Sequence, residues 1–226
     1  MPQDKPCLAV IGATGDLGSG LALRWAMAGY PVIIGSRATD RAETAAAALG
    51  DRVDGASVRG LDNAAAAAAG DIVVLTVPFA NHALTLETVK PGVQGKIVVD
   101  VTVPLMPPKV RTVQLPPEGS AGKIAQTYLG EDVRVVSAFQ NVAADHLNDP
   151  DHAIDCDVLV AGNDPEARAT VVGLAEAAGM RAWQAGRIDN AAVAEALTSA
   201  LIFINARYKI PGAGIRITGD PGNAEA

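Results

Sequence analysis

Short apolar runs alternate with segments of helical spacing through the first hundred residues of the chain. Residues 7–11 (CLAVI) are uninterrupted apolar positions that end at Gly12, as expected of a buried parallel strand. Residues 17–28 place their apolar side chains at helical spacing, and Gly29 stands where a C-terminal cap belongs. A second buried strand is predicted over residues 31–35. The chain is therefore predicted to begin with a βαβ unit.

The same alternation continues to residue 101. A helix is predicted from Asp40, interpreted as its N-cap with Glu43 as capping-box partner, to Gly50. A short helix is predicted over the alanine run 64–69, because alanine is the best helix former and both ends carry capping residues. Two further strands are predicted over residues 71–77 and 96–101, with helical residues between them.

The second half of the chain begins with a segment whose hydrophobic positions follow neither helical nor strand periodicity. Residues 103–122 contain five prolines and end in small residues, which favours a long ordered loop that acts as a lid or binding wall; a disordered linker is the alternative. The elements predicted after it are strands over 133–139, 158–161 and 181–185 and helices over 165–178 and 190–208. The whole pattern predicts an α/β fold: a Rossmann-like, doubly wound, mostly parallel sheet with a small C-terminal α/β extension.

Charge and composition narrow the class of ligand. The net charge is −7, which disfavours nucleic acid and anionic membranes as partners, because such surfaces select for excess lysine and arginine. Apolar runs fall well short of the roughly 20 residues that span a bilayer, and we expect a cytoplasmic protein. Cys7 and Cys156 are expected to be buried, reduced thiols, and no cluster of metal-ligating residues is expected.

The first strand leads directly into a glycine-rich turn, residues 12–18 (GATGDLG). Its spacing differs by one residue from the dinucleotide fingerprint G-x-G-x-x-G, but it lies between a strand and a helix, as that fingerprint requires. Backbone amides and the helix N-terminus would there face a diphosphate. A tight turn without ligand is the alternative. The Thr14 hydroxyl could bind a phosphate oxygen or cap the turn.

The end of the second strand selects between the two nicotinamide coenzymes. NAD sites usually place an acidic residue there for the ribose 2′-OH, and this chain has Ser36 and Arg37 instead, with Arg41 one turn later. A hydroxyl and two guanidinium groups suit a 2′-phosphate. The sequence therefore predicts NADP, with two solvated arginines at a helix start as the alternative.

No catalytic acid–base set is predicted. A Tyr-x-x-x-Lys pair is absent, because none of Tyr30, Tyr128 and Tyr208 has a lysine four residues on. Three histidines lack an evident carboxylate to orient them and are interpreted as surface or capping residues: His82, His146 and His152. A reaction that moves only a hydride between two bound cofactors needs positioning and little proton transfer from the protein.

Six blocks of sequence, taken together, resemble the family of NADPH-dependent coenzyme F420 reductases. That family passes a hydride between NADP and the 8-hydroxy-5-deazaflavin coenzyme F420. The matching blocks are residues 9–37, 74–79 (VLTVPF), 96–105 (KIVVDVTVPL), 119–126 (GSAGKIAQ), 133–144 (VRVVSAFQNVAA) and 211–219 (PGAGIRITG). The resemblance implies direct transfer from nicotinamide C4 to deazaflavin C5, NADP(H) and F420 as cofactors, and a homodimer.

The resemblance also assigns the binding residues. The NADP adenosine and phosphates would be held by Gly12, Thr14, Gly15, Asp16, Leu17, Gly18, Ser36, Arg37 and Arg41. The nicotinamide would lie beside Thr76, Val77 and Pro78. The deazaflavin would stack on it, near the C-terminal glycines and the residues Ser120, Ala121, Gln140, Asn141 and Val142. On this basis residues 1–145 form the NADP-binding domain, and residues 146–226 form an extension that completes the substrate cleft.

One departure from the family pattern leaves alternatives open. Gln140 stands where family members often have histidine, so the acceptor could be another small molecule: a flavin, an imine or a ketone. A non-catalytic Rossmann protein that senses NADP(H) for a protein partner is also compatible with the missing acid–base set. Against the sensor stands the loop 103–122, which suits a wall for a second planar ligand.

Overall fold

The computed structural model describes residues 5–219 and contains one sheet of eight strands. The strands are β1 (Leu8–Ile11), β2 (Val32–Ser36), β3 (Val58–Asp62), β4 (Ile72–Leu75), β5 (Ile97–Asp100), β6 (Arg134–Ser137), β7 (Asp157–Gly162) and β8 (Arg181–Gly186). The helices are α1 (Asp16–Met27), α2 (Thr39–Gly50), α3 (Asn63–Ala69), α4 (His82–Val89), α5 (Ala121–Leu129), α6 (Ala144–Asn148), α7 (Pro165–Ala177) and α8 (Ala191–Tyr208).

The sheet has the strand order β3-β2-β1-β4-β5-β6-β7-β8. All neighbours pair in parallel except β6 and β7, which are antiparallel. The order reverses between β1 and β4, and in such sheets ligands bind in the crevice outside the carboxyl ends of the strands at that point. The Rossmann-like, mostly parallel fold predicted from the sequence is confirmed.

The strands β1 and β4 at the centre of the sheet are apolar throughout, because helices cover both faces of the sheet. In β1 the side chains of Leu8 and Val10 enter one core, and those of Ala9 and Ile11 enter the other. The first core also holds Trp25 of α1, whose indole Nε1 donates to the carbonyl of Leu174, 2.8 Å away. Buried strands of this kind give the continuous apolar runs from which the sequence predicts them.

Three elements were not predicted, and one predicted cap is wrong. The edge strand β3 is only half-buried, so its sequence VRGLD lacks an apolar run. Helices α5 and α6 were not predicted either, and α5 starts at Ala121, so the loop after β5 ends at Ser120. The N-cap of α2 is Ala38, without a side-chain cap. Asp40 therefore lies inside the first turn of α2, and the predicted capping box with Glu43 does not form.

The C-terminal part of the chain continues the same sheet. The carboxylate of Asp157 in β7 accepts hydrogen bonds from Arg181 and Trp183 of β8 and from the backbone amide of Ile217. Burial alone would raise the pKa of Asp157, but the hydrogen bonds, chiefly that of Arg181, lower it to about 2. Together with the bond from the Asp157 amide to the carbonyl of Ile215, this carboxylate ties the chain at Ile215 and Ile217 to β7.

The environment predicted for one of the two cysteines is wrong, and one helix is as long and apolar as a membrane span. Cys156 is a buried free thiol as predicted, whereas Cys7 is partly exposed. The helical span Ile188–Tyr208 is long and apolar enough to cross a membrane by length and composition alone, and about a third of its most apolar stretch is buried in the protein. Core helices of soluble proteins pass the same test of length and composition, so this one span says little about location.

Candidate functional site

A cleft of about 790 Å³ opens at the carboxyl ends of β1, β2, β4 and β5. It lies at the reversal of strand order, where an open α/β sheet binds its ligands. Its volume falls within the roughly 300 to 1,000 Å³ typical of pockets for cofactors and small molecules. The predicted site residues that line it are Gly12, Thr14, Gly15, Asp16, Leu17, Ser36, Arg37, Arg41, Thr76, Val77 and Pro78.

The glycine-rich turn forms the floor of the cleft, and two of its glycines are sterically required. Gly12 has φ +88°, and a Cβ there would lie 2.9 Å from Cγ1 of Val77. Gly18 does not line the cleft. A Cβ on Gly18 would lie 2.4 Å from the Thr76 hydroxyl and 2.7 Å from Cα of Ala13. Gly18 therefore lets α1 pack closely against the end of β4, which brings the helix N-terminus to the cleft.

The N-terminus of α1 offers free backbone donors at this floor. Its N-cap, Gly15, provides no side-chain cap, and the first amides of any α-helix have no partner within the helix. Asp16 and Leu17 occupy the first two positions and line the cleft. Unpaired amides together with the positive end of the helix dipole fit a diphosphate group.

The end of β2 places two guanidinium groups on the rim of the cleft. Ser36 is buried there, while Arg37 and Arg41 are exposed and line the cleft. Within residues 5–219 neither arginine forms an ion pair with an acidic side chain. Two unengaged cations beside a serine hydroxyl fit the 2′-phosphate of NADP.

A smaller recess of about 230 Å³ adjoins this rim and was not predicted. It lies between Arg37, the start of α3 and the start of α4, and its walls include Asn63, Asn81 and Thr85. The amide oxygen of Asn63 is buried without a hydrogen-bond partner among the residues described. No sequence motif marks these residues, because they come from two separate helix starts that only the fold brings together.

The other end of the cleft is an apolar slot between two loops. Val77, Pro78 and Phe79 follow β4 on one side, and the loop after β5 forms the other side. The lining residues of that loop are Val101, Val103, Leu105, Pro107 and Val110. The predicted wall is therefore present over residues 103–110. A slot with apolar sides suits flat aromatic rings.

Five of the predicted substrate residues lie beneath the surface instead of lining the slot. Ser120 is the N-cap of α5 and accepts a hydrogen bond from the amide of Lys123. Gln140 donates to the backbone carbonyl of Asp100 and to the Ser137 hydroxyl, both at 2.8 Å. The remaining three, also buried, are Ala121, Asn141 and Val142. Their contact with a deazaflavin stays a prediction.

His82 is not a surface histidine, which corrects its interpretation from the sequence. It is buried at the start of α4, and its Nε2 lies 2.7 Å from Oδ2 of Asp100, the last residue of β5. Burial opposes a charge on the ring, but the hydrogen bond to Asp100 and its negative charge outweigh burial and raise the pKa of His82. The orienting carboxylate was missed because the two residues come from different elements.

A second buried carboxylate lies close by. Glu195 of α8 is 1% exposed, and its two oxygens accept hydrogen bonds from the amides of Ala121 at 2.7 Å and Gly122 at 3.0 Å. The pKa of Glu195 is raised to about 7, chiefly by burial and also by the negative charge of Asp100. The two amide hydrogen bonds and the positive charge of His82 act in the opposite direction and reduce the shift. We call His82, Asp100 and Glu195 the buried cluster. Within residues 5–219 no three histidine, cysteine, aspartate or glutamate side chains, the buried cluster included, are arranged so that they could hold a metal ion.

Comparison with known proteins agrees with this geometry. Residues 7–104 match the profile of a family described as NADP oxidoreductase, coenzyme F420-dependent. An F420-dependent NADP reductase of Methanocaldococcus jannaschii is 43% identical over 219 residues, which cover 93% of this chain and 97% of that protein. One of Methanothermobacter thermautotrophicus is 42% identical over 222 residues, covering 95% of each.

Solved structures show the same fold. A provisionally assigned F420-dependent NADP reductase from an Arthrobacter species superposes with a TM-score of 0.79 at 27% identity, covering 94% of this chain and 99% of the other. An imine reductase from Myxococcus stipitatus superposes with a TM-score of 0.64 at 22% identity, covering 91% of this chain and 62% of the other. The second likeness is one of fold alone.

Proposed function

The chain belongs to the family of coenzyme F420-dependent NADP oxidoreductases, and we propose that it transfers a hydride between NADP(H) and F420 within the cleft. The observation that carries the proposal is one continuous cleft whose chemistry changes along its length. Unpaired helix amides lie at its middle, two free guanidinium groups at one end and an apolar slot at the other. These are the surroundings that a diphosphate, a 2′-phosphate and two flat rings require.

NADP would cross the ends of the strands from β2 towards β5. Its diphosphate would lie on the amides of Asp16 and Leu17, and its 2′-phosphate would meet Ser36, Arg37 and Arg41. The adenine would enter the recess beside Asn63. The nicotinamide would then reach the apolar slot, because the diphosphate links the two nucleotide halves and the adenosine half occupies the other side.

The second ring system would stack on the nicotinamide in the slot. A hydride would then pass directly from C4 of NADPH to C5 of the deazaflavin, which takes up one proton to balance the reaction. The slot provides positioning and exclusion of water, and its lining includes no histidine, lysine or tyrosine among the residues described. Direct transfer between stacked rings needs no such group at the reacting atoms.

The residues predicted to bind the deazaflavin are buried in the free protein. We propose that the loop after β6 and the start of α5 border the deazaflavin. The amide oxygens of Gln140 and Asn141 are buried without partners among the described residues, and a hydrogen-bond donor on the ligand would satisfy them. Residues 146–226 would complete this side through α8 and the segment 211–219.

The acceptor is tested by mixing the purified protein with NADPH and oxidised F420 and following the visible absorbance of the deazaflavin. We expect that absorbance to fall in step with NADPH oxidation. Parallel reactions should contain a flavin, a cyclic imine or a ketone in place of F420. Faster turnover with any of these would reassign the acceptor, and NADPH binding without turnover on any acceptor would favour the sensor.

We also propose that the protein is a cytoplasmic homodimer. Helix α8 exposes three large apolar side chains, with Val193 58%, Phe203 53% and Tyr208 68% exposed, and a second copy could cover them. Free thiols at Cys7 and Cys156 suit a reducing compartment, and the charge of −7 suits small-molecule partners better than nucleic acid. Light scattering should give twice the mass of the chain, and the monomer mass would contradict the dimer.

A further inference from the structure

The buried cluster lies directly beneath the apolar slot. The ring of His82 stacks under that of Phe79, with centroids 6.1 Å apart and an angle of 25° between the planes, and Phe79 lines the cleft. Asp100 immediately precedes Val101, which lines the opposite wall. The cluster thus supports both sides of the slot in which the proposed function places the nicotinamide.

The cluster contains two carboxylates and one imidazole, all shielded from water. Asp100 is fully buried and is matched by His82 at 2.7 Å, so Glu195 is the acid that lacks a cationic partner. Among the described residues, its hydrogen-bond partners are the amides of Ala121 and Gly122. The hydrogen-bonded pair of His82 and Asp100 is neutral overall, so the cluster is neutral when Glu195 is protonated and carries one net negative charge when it is ionised.

Within residues 5–219, the charged side chains on the elements that contact α8 are paired with one another or exposed to solvent. On the neighbouring α5, Lys123 pairs with Asp189 at the surface, 2.6 Å away. On β7, Asp157 pairs with Arg181, also at 2.6 Å. The loop that contacts Ser199 of α8 carries basic side chains, Lys109 and Arg111, that are exposed to solvent. The buried carboxyl of Glu195 therefore sets the charge beneath the slot.

The nicotinamide ring differs by one positive charge between the two forms of the coenzyme: NADP⁺ carries it and NADPH does not. We infer that Glu195, acting with Asp100 and His82, is a positioning residue that makes the preference of the cleft for NADP⁺ over NADPH depend on its own ionisation. The ionised cluster attracts the pyridinium ring, and the neutral cluster does not. By linkage, binding of NADP⁺ drives a proton off Glu195. This inference rests on the proposed binding of NADP(H) in the cleft.

The size of the effect follows from Coulomb's law. Two unit charges about 10 Å apart, at an effective dielectric constant of about 20, change a dissociation constant by about tenfold. Because burial holds the pKa of Glu195 at about 7, the change falls near neutral pH. We expect the ratio of the Kd of NADPH to that of NADP⁺ to rise by threefold to about tenfold between about pH 6 and pH 8.

The test is calorimetric titration of the wild-type protein with NADP⁺ and with NADPH across that pH range, in two buffers of different ionisation enthalpy. The buffer dependence gives the protons released per ligand bound. We expect more release with NADP⁺ than with NADPH near neutral pH. The variant Glu195→Gln should lose both this difference and the pH dependence of the Kd ratio. Glu176→Gln, which changes an exposed acid on α7, is the matched control and should keep both.

Each outcome bears on one of the two proposals. Binding of both coenzymes with a Kd ratio and proton release that do not vary with pH would overturn this inference and leave the proposed function standing. A pH-dependent ratio retained in Glu195→Gln would overturn it as well. Failure of either coenzyme to bind would instead remove the proposed function. If the variant does not fold, carbon-13 NMR of the wild-type glutamate carboxyls decides, because a buried carboxyl should titrate near neutral pH and at lower pH with NADP⁺ bound.

Discussion

Replacing Glu195 with glutamine should change how the stability of the protein depends on pH, with no coenzyme present. The carboxyl has an ordinary pKa of 4.5, and burial raises it to about 7 in the folded protein. A raised pKa of an acid means that the folded protein binds a proton which the unfolded chain has already released. The contribution of this bound proton to stability is therefore complete below about pH 4.5 and is lost as the pH rises towards 7.

The magnitude follows from that difference in pKa. At roughly 1.4 kcal/mol for each tenfold change in an equilibrium constant, ionisation of Glu195 lowers the free energy of unfolding by about 3 kcal/mol in total. Most of the loss falls between about pH 5 and pH 8. Full burial of the side chain leaves little solvent to reduce the effect. Glutamine has no such ionisation, although it loses one of the two amide hydrogen bonds and is destabilised by a constant amount.

Urea unfolding at about pH 5 and pH 8 measures the effect, with Glu176→Gln as the control. We expect the stability of the Glu195→Gln variant relative to wild type to improve by roughly 2 to 3 kcal/mol between the lower and the higher pH. The control should show the wild-type pH dependence. Parallel pH curves for wild type and Glu195→Gln would show that Glu195 is already ionised at low pH, and the reasoning from burial would be refuted.

Three further substitutions test other parts of the structure. Arg37→Ala should weaken the binding of NADPH by about 1.5 to 3 kcal/mol and leave the binding of NADH almost unchanged. An equal loss of binding free energy for both coenzymes would remove the 2′-phosphate assignment. Gly18→Ala should weaken the binding of NADPH and of NADH alike and cost about 1 to 3 kcal/mol of stability, because its Cβ would meet Thr76. Its control is Gly50→Ala, where a Cβ meets nothing within 4 Å and thermal unfolding should show no loss of stability. Asp157→Asn should lower the free energy of unfolding in urea by about 1 to 3 kcal/mol at neutral pH. This difference from wild type should fade as the pH drops towards 2, where the wild-type Asp157 carboxylate becomes protonated. A difference that persists at low pH would contradict the contacts of Asp157 as its cause.

The parts of the fold that could be predicted from the sequence are those whose signal is local. The strands β1, β2, β4 and β5 are buried on both faces, so each contains a continuous apolar run. The edge strand β3 has no such run. Its Gly60 packs against the backbone of Ala42, where a Cβ would approach to 2.2 Å, and that close contact leaves no trace in the hydrophobic pattern.

The same distinction applies to the site. The glycine turn and the Ser36-Arg37 pair are contiguous and follow strands, so they could be predicted to line the cleft. In the buried cluster, His82 and Asp100 are 18 residues apart in the chain, and Asp100 and Glu195 are 95 residues apart. Only the parallel sheet and the packing of α8 bring them together, and burial then gives them properties that no local pattern predicts.

The path of the hydride shows whether NADPH and the deazaflavin react while stacked in the slot. The measurement uses NADPH with deuterium at C4, prepared separately in each of the two stereochemical positions, and oxidised F420 as acceptor, followed by mass spectrometry of the reduced deazaflavin. We expect one of the two labelled coenzymes to deliver its deuterium to C5 of the deazaflavin and the other to deliver none. Loss of the deuterium to solvent from both, or NADPH oxidation that leaves F420 unreduced, would contradict it.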